Sequence, residues 1–409
     1  MEKPSSETKY VKRPLYLARL LKWRDKALVK VVTGVRRCGK SVLLELFREE
    51  LQRQGVSSDQ FVVLNFEDPD TPEYTSWKAV WADVKPRLCE GRMTYVFLDE
   101  VQRVPEFEKL VDGLCTKENV DVYMTGSNAY LLSGELATYL SGRYVEIQMQ
   151  PLSFREYVDA RGATSDFARL YLDYLRNSSF PYALELGGDA GLTSDYLDGI
   201  YNTVLVKDVM QRKRLSDVGL VDRLARFLFD NIGNLTSLRN VAACLGAAGK
   251  KTNVTTVEGY VEALCDSFLF RKAMRYDIRG KAILQGGCKY YAADIGLRFR
   301  LLGHRVGDSG RILENVVYLE LLRRAPTVLV GSQDGREVDF VTRDGNDVHY
   351  YQVAETVRDA ETRRREFASL EAIRDHHPKT LITLDEDLPA TDNGISQINA
   401  YDFLLARTS

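Results

Sequence analysis

Residues Gly34-Val35-Arg36-Arg37-Cys38-Gly39-Lys40-Ser41 match each fixed position of the pattern G-x-x-x-x-G-K-[ST]. An apolar run at residues 27–32 leads in as a strand, and residues 41–47 lead out as a helix. Glycines at the fixed positions let the backbone wrap around phosphates, and N–H groups at a helix start point at an anion. In such a loop Lys40 reaches the outer phosphates of a nucleoside triphosphate and the Ser41 hydroxyl ligates Mg2+. Gly34, Val35, Arg36, Arg37, Cys38, Gly39, Lys40, Ser41 and Val42 form the cradle. Arg36 and Arg37 either touch phosphate or project from the variable stretch, and Cys38 fills a variable position.

A second cluster agrees with the first. The run Tyr95-Val96-Phe97-Leu98-Asp99-Glu100 is apolar and ends in two acids. Asp99 is suited to hold Mg2+, directly or through water, and Glu100 to orient and polarise an attacking water. Thr125-Gly126-Ser127-Asn128 closes the next apolar run. The small polar side chains of Ser127 and Asn128 suit a hydrogen bond to that water or to the γ-phosphate, or a helix cap. Arg143 follows Ser141-Gly142. It reads in two ways: a finger serving a neighbouring subunit's nucleotide, or a surface arginine paired with Glu146.

The elements that must position these groups alternate regularly. Strands are expected at residues 27–34, 61–67, 94–100, 120–127 and 144–149. Helices are expected between them at 41–54, 77–89, 107–115 and 131–140. Near-continuous apolar strands alternating with helices imply a buried parallel sheet and an α/β fold. Pro151 ends the rhythm. Helical patterns fill 154–215 and 218–264, short strands surround 269–292, and a second α/β texture begins near Gly310.

With 409 residues, 44% hydrophobic and 28% charged, the chain has material for packed cores in more than one domain. Its formal net charge of -2 gives no global basic field, so nucleic-acid binding would need a local patch. Six cysteines without C-x-x-C pairs and four histidines offer no zinc-ligand spacing. Free thiols point to the cytoplasm. No apolar run reaches the ~18 residues of a membrane span.

The loop, the Leu98-Asp99-Glu100-Val101-Gln102 acids, the Thr125-Gly126-Ser127-Asn128 turn and the Pro151-Leu152-Ser153-Phe154-Arg155-Glu156 run resemble a prokaryotic AAA+ ATPase family. Its members join an AAA_14-type ATPase domain to a C-terminal domain of unknown function, DUF4143. Asn231-Ile232-Gly233-Asn234, Lys289-Tyr290-Tyr291, Leu313-Glu314-Asn315 and Glu337-Val338-Asp339-Phe340 are similar to that family too. The resemblance implies an ATPase core at 1–150, a helical lid at 151–216, a winged-helix segment at 217–305 and a restriction-endonuclease-like α/β domain at 306–409. ATP rather than GTP is implied because nothing resembles the guanine-reading Asn-Lys-x-Asp motif.

Nucleases of that last fold use an Asp, then an acid-x-Lys on the next strand, often with a helical Glu. Here Glu314 and Asp339 are present, but the next strand offers Gln352-Val353-Ala354. Glu337 and Glu355 are poor substitutes on grounds of strand alternation and the turn. An inactive scaffold follows, used for binding or assembly. Lys207, Arg212, Lys213, Arg214, Arg223, Arg226, Arg239, Lys250, Lys251 and Asn253, with the Arg363-Arg364-Arg365 run, could meet DNA or could be solvated faces. The expected activity is an ATP-driven switch acting on DNA, with an ATP-driven protein-interaction switch as the alternative and an active nuclease as the least favoured reading. Arg143 acting in trans implies a homo-oligomer.

Overall fold

The computed structural model describes residues 10–129, 140, 142–211, 217–247, 252–305, 307–387 and 389–406. The helix expected at 131–140 lies, except for Leu140, outside the described residues, as do Arg212, Lys213, Arg214, Lys250 and Lys251. The chain forms two compact units.

The first unit comprises residues 1–151 with the short segments 180–182 and 266–268. Its elements are α1 (Pro14–Lys22), β1 (Val29–Thr33), α2 (Lys40–Arg53), β2 (Phe61–Asn65), α3 (Trp77–Val84), β3 (Thr94–Asp99), α4 (Phe107–Cys115), β4 (Val120–Gly126) and β5 (Tyr144–Gln148). The strands lie in the order β2-β3-β4-β1-β5, and all pair in parallel. β1 and β3 are buried throughout, which is why their sequences run apolar without alternation. One apolar cluster gathers Val31, Leu98, Val111 and Met124. Elsewhere Phe97 stacks on Tyr123 at 5.2 Å, and Phe47 meets Tyr123 at 4.9 Å. In this strand order β4 stands between the strand before the glycine loop and the strand carrying the acids. Because the strands are parallel, all three deliver their ends to the same edge of the sheet.

The second unit holds α5 (Phe154–Ala160), α6 (Phe167–Asn177), α7 (Ala190–Thr203), a π-helical stretch (Val204–Gln211), α8 (Val218–Asp230), α9 (Leu238–Ala247) and α10 (Val254–Asp266). It continues with β6 (Phe270–Asp277), β7 (Ala282–Ala292), α11 (Ile295–Leu302), α12 (Ser309–Arg324), β8 (Thr327–Gln333), β9 (Arg336–Asp344) and β10 (Asp347–Val353). Then come α13 (Ala360–Glu371), β11 (Lys379–Thr383), β12 (Thr391–Asp392), β13 (Ile395–Asn399) and α14 (Ala400–Leu405). The strands form one sheet in the order β12-β13-β11-β10-β9-β8-β6-β7.

That sheet crosses the boundary expected at residues 305/306. The β6–β7 hairpin joins it through a parallel pairing of β6 with β8, Arg275 opposite Val330. A lone two-stranded hairpin is marginal in water, and burying its free edge and face removes that problem. The apolar cluster shows the same continuity, since Tyr276 and Ile278 pack with Leu329, Val338 and Tyr350. The segment expected as a lid is also tied to the chain's end. Arg155 Nη1 donates to Leu405 O at 2.8 Å, and the Tyr171 ring lies 5.6 Å from Tyr401. Within this unit α8 is followed by an isolated bridge from Thr236 to Cys288 and then by α9, α10 and the β6–β7 hairpin.

Candidate functional site

The glycine loop is shaped by what lies beneath it. Gly34 has φ +148°, and a Cβ there would stand 2.1 Å from Met149 O, so no side chain fits. Gly39 has φ +100° and opens α2 with no side-chain cap. The first N–H groups of that helix therefore have no capping side chain competing for them, which is the arrangement an anion uses. Arg37 is also left-handed, at φ +68°.

The floor is fixed from α1. The buried Arg13 donates to Cys38 O at 3.0 Å and to Gln150 O at 2.6 Å. The Tyr16 hydroxyl accepts from Gln150 N at 3.1 Å. Met149 N bonds Thr33 O at 2.7 Å and continues the β5 pairing. Arg13 and α1 thus brace the loop, a role the sequence did not signal.

Lys40, buried at the start of α2, donates to Gly34 O at 3.1 Å and to Val35 O at 3.3 Å. Its ammonium lies 3.9 Å from Glu100 Oε1. Asp99 ends β3, and Glu100 follows in a left-handed conformation at φ +53°. Between them and β1 stands Thr125 of β4. Its hydroxyl donates to Asp99 Oδ1 and accepts from Glu100 N at 2.9 Å. Ser127 Oγ donates to Glu100 Oε2 at 3.4 Å, and Gln102 Nε2 donates to the same oxygen. Asn128 is buried beside them in sequence. Asp99, Glu100, Ser127 and Asn128 were expected at this place from the sequence; Thr125 and Gln102, which stand in the same runs, were not.

Arg36 turns outward to Glu67, at 3.2 Å, where Arg103 also bonds at 2.6 Å. Burial pushes the Glu67 carboxyl up, but the Arg103 and Arg36 guanidiniums outweigh it and hold the group below the usual carboxylate range. Neither Glu67 nor Arg103 was singled out from the sequence.

Arg143 precedes β5, at the edge of the sheet opposite the loop. Its expected partner Glu146 instead accepts from Thr33 Oγ1. Arg143 donates to Asp112 Oδ1 of α4 at 2.6 Å and to Leu140 O at 3.2 Å. The ion pair is real, but the partner comes from a helix rather than from the next residues of the strand, where Glu146 points to β1.

In the second unit, Asp339 and Gln352 do meet: Asp339 N donates to Gln352 Oε1 at 3.3 Å. The amide is committed further, to Glu366 at 2.8 Å and Ser369 at 3.2 Å. Ala354 packs in the apolar cluster. Glu337, set aside on grounds of alternation, lies two residues before Asp339 and so shares its face of β9. Several expected DNA-facing groups are engaged within the chain. Arg226 pairs with Asp222 at 2.9 Å, Arg363 with Asp392, and Arg365 with Glu366 at 2.7 Å. Asn253 Oδ1 caps α10 by accepting from Thr256 N at 2.8 Å.

The donor set at the loop fits Mg2+ bound with a nucleotide. One hydroxyl, Ser41, and one carboxylate, Asp99, are hard oxygen donors, and this ion is commonly held by one or two protein oxygens plus phosphates and waters. Among the described residues no group of three or more His, Cys, Asp or Glu side chains is set to hold a metal by itself. Among them also, no helix is long and apolar enough to cross a membrane.

The profile of an AAA domain matches residues 26–158, and that of a domain of unknown function, DUF8612, matches 168–306. An uncharacterised protein of Methanocaldococcus jannaschii is 27% identical over 365 residues, covering 85% of this chain and 79% of its own. Among solved structures, a Walker-type ATPase of Pyrococcus abyssi aligns at 14% identity with a TM-score of 0.45, covering 73% of this chain and 98% of that one. AMPPCP-bound DnaA of Aquifex aeolicus aligns at 14% identity and a TM-score of 0.30, covering 61% and 85%. Both structural matches are too loose to carry function. An uncharacterised protein of Haemophilus influenzae is 37% identical over 403 residues, 97% of this chain and 98% of its own. With that identity along almost the whole of both chains, the protein belongs to the same family as the Haemophilus chain, and its parallel sheet lies within a stretch that matches an AAA domain.

Proposed function

We propose that the chain binds ATP at the glycine loop and hydrolyses it as a conformational switch. The loop N–H groups and Lys40 bind the phosphates, and Ser41 and Asp99 hold Mg2+. When bound, that ion neutralises charge on the phosphate oxygens. Glu100 orients the attacking water and accepts its proton. Ser127 and Asn128 help to place the water or the γ-phosphate. The observation that carries this reading is the Thr125 hydroxyl, which ties Asp99 and Glu100 into one geometry beside Lys40.

ATP turnover and calorimetry on the wild type, Lys40→Ala and Glu100→Gln test it. The wild type turns over; Lys40→Ala loses tight binding; Glu100→Gln binds but does not hydrolyse. A wild type to which ATP does not bind refutes it.

The target assigned is DNA, through residues 217–305 read as a winged helix. The succession of α8, the Thr236 bridge, α9, α10 and hairpin supports that reading. Duplex DNA should then bind with a steep salt dependence, each phosphate contact adding ~0.9 to the log–log slope. One observation favours the alternative, a protein partner docking on a DUF4143-type, restriction-endonuclease-like C-terminal domain: Arg363 and Arg365 already sit in ion pairs. Retention of a partner by ATP-trapped Glu100→Gln, without DNA binding, would select it. The placement of Arg143, away from its own loop, supports action in trans and a homo-oligomer. Six free cysteines support a reducing, cytoplasmic setting.

A further inference from the structure

A buried charged centre in the second unit takes no part in ATP chemistry. Lys289 extends from β7 into a group of carboxylates carried by α12 and β9. Its Nζ is 2.6 Å from Glu337 Oε1, 2.9 Å from Glu314 Oε1 and 3.9 Å from Asp339 Oδ1. The lysine side chain is 3% exposed. Tyr291, on the same face of β7, donates to Glu314 Oε1 at 2.6 Å. Asp339 Oδ2 accepts from Val353 N at 2.8 Å. A loop closes over the far side: Gly233, at φ +74°, comes so near that a Cβ would be 3.1 Å from Glu314 Oε2. Its N–H donates to Tyr290 O at 3.2 Å.

Glu314 and Asp339 are buried, and Glu337 stands at the rim with its side chain 37% exposed. Carboxylates gathered this closely repel one another unless a cation stands among them or one takes up a proton, and burial beside Glu314 pushes the Asp339 carboxyl well up. Hard oxygen donors of this kind suit a divalent ion. The position is instead taken by an ammonium, bonded to two carboxylates at hydrogen-bond length. With it in place, the described residues include no group of acids set to hold a metal. We propose that Lys289 is a built-in cation that fills and closes a latent divalent-metal site formed by Glu314, Glu337 and Asp339. The lysine missing at position 354 is thus matched by one arriving from another strand, and it seals the centre rather than serving a metal. The second unit is then held together without a divalent ion and does not hydrolyse phosphodiesters. This inference is independent of the ATPase reading.

The full chain is tested without nucleotide. Lys289→Met keeps the apolar stem and removes the charge. The melting temperature and Mn2+ binding by calorimetry are compared among wild type, Lys289→Met and the Lys289→Met/Glu314→Gln double variant. The wild type should show no Glu314-dependent response to Mn2+. Lys289→Met should melt lower, bind Mn2+ at least about tenfold more tightly than the wild type, and recover stability on binding. The double variant should lose that rescue. If Lys289→Met does not fold alone, refolding with Mn2+ decides: recovery supports the inference and failure overturns it, with Lys289→Arg as the charged control that folds without metal. Mn2+ uptake by the wild type that vanishes in Glu314→Gln overturns it. So does Mn2+-dependent nicking of duplex DNA by the wild type that vanishes in Asp339→Ala.

Discussion

Thr125→Val isolates the link between the two acids of the candidate ATP site. Thr125 is fully buried at the end of β4, and valine has nearly its shape. The substitution removes the bond to Asp99 Oδ1 and the 2.9 Å bond from Glu100 N. A hydrogen bond to a charged group contributes about 1.5–3 kcal/mol and a neutral one about 1 kcal/mol. Some of the loss is recovered where the carboxylate finds another donor, so global stability should fall by about 2–4 kcal/mol. The kinetic consequence is separate. Asp99 loses the donor that fixes its carboxylate, and the left-handed peptide of Glu100 loses its anchor. A rate loss of about 10–100-fold in kcat corresponds to about 1.4–2.7 kcal/mol of barrier. KM for ATP should stay within about twofold, a loss confined to the transition state, because Lys40 and the loop are held by other bonds. Urea unfolding and steady-state ATP turnover measure the two effects. Thr125→Ser keeps the hydroxyl and should restore most of the rate. Turnover of Thr125→Val within twofold of wild type, in protein verified as destabilised, would refute the reasoning.

Arg13→Ala should weaken ATP binding without touching phosphate, because it releases Cys38 O and Gln150 O beneath the loop. Calorimetry should show a weaker Kd, with Arg13→Lys recovering part of it. Arg143→Ala breaks a half-exposed pair with Asp112 and should cost no more than about 1 kcal/mol in stability. Should Arg143 act in trans, turnover falls despite that small cost, and wild-type specific activity declines on dilution. Burial pushes the His349 imidazole down to about 4. Unfolded histidine titrates near about 6.5, so the unfolded chain binds the proton first. The stabilisation is full above that value and is lost as pH falls towards 4. Melting at pH 5 against pH 7 should show this, with a shallower slope for His349→Gln.

The glycine loop could be read because phosphate chemistry demands contiguous residues there, and the acids because they end an apolar strand. What the sequence hid was adjacency across the sheet. Thr125 stands in a quoted motif, yet its partners Asp99 and Glu100 are one strand away, and only the strand order β3-β4-β1 reveals it. One of the two readings of Arg143 gave it a partner in the next few residues, when the geometry supplies one from α4. Glu337 was misjudged by counting: two residues from Asp339 means the same face, not the opposite one. The hairpin at 270–292 was expected inside a winged-helix segment at 217–305, yet it joins the larger sheet. Its pairing with β8 is a long-range choice, made by the apolar face that Tyr276 and Ile278 share with Leu329.

The two lysine centres show why the same ingredients lead to different chemistry. Lys40 is held by two backbone carbonyls, with the nearest carboxylate 3.9 Å away. Charge-assisted bonds are roughly twice as strong as neutral ones, so an arriving phosphate can take this ammonium from the carbonyls. Lys289 is bonded to two carboxylates, with a third within 3.9 Å. An incoming phosphate could offer that ammonium nothing stronger, and its negative charge would be repelled by Glu314 and Glu337. A lysine near acids therefore signals anion binding only when its own bonds are neutral. By that criterion the loop lysine is available to a nucleotide, and the lysine of β7 is committed to the fold.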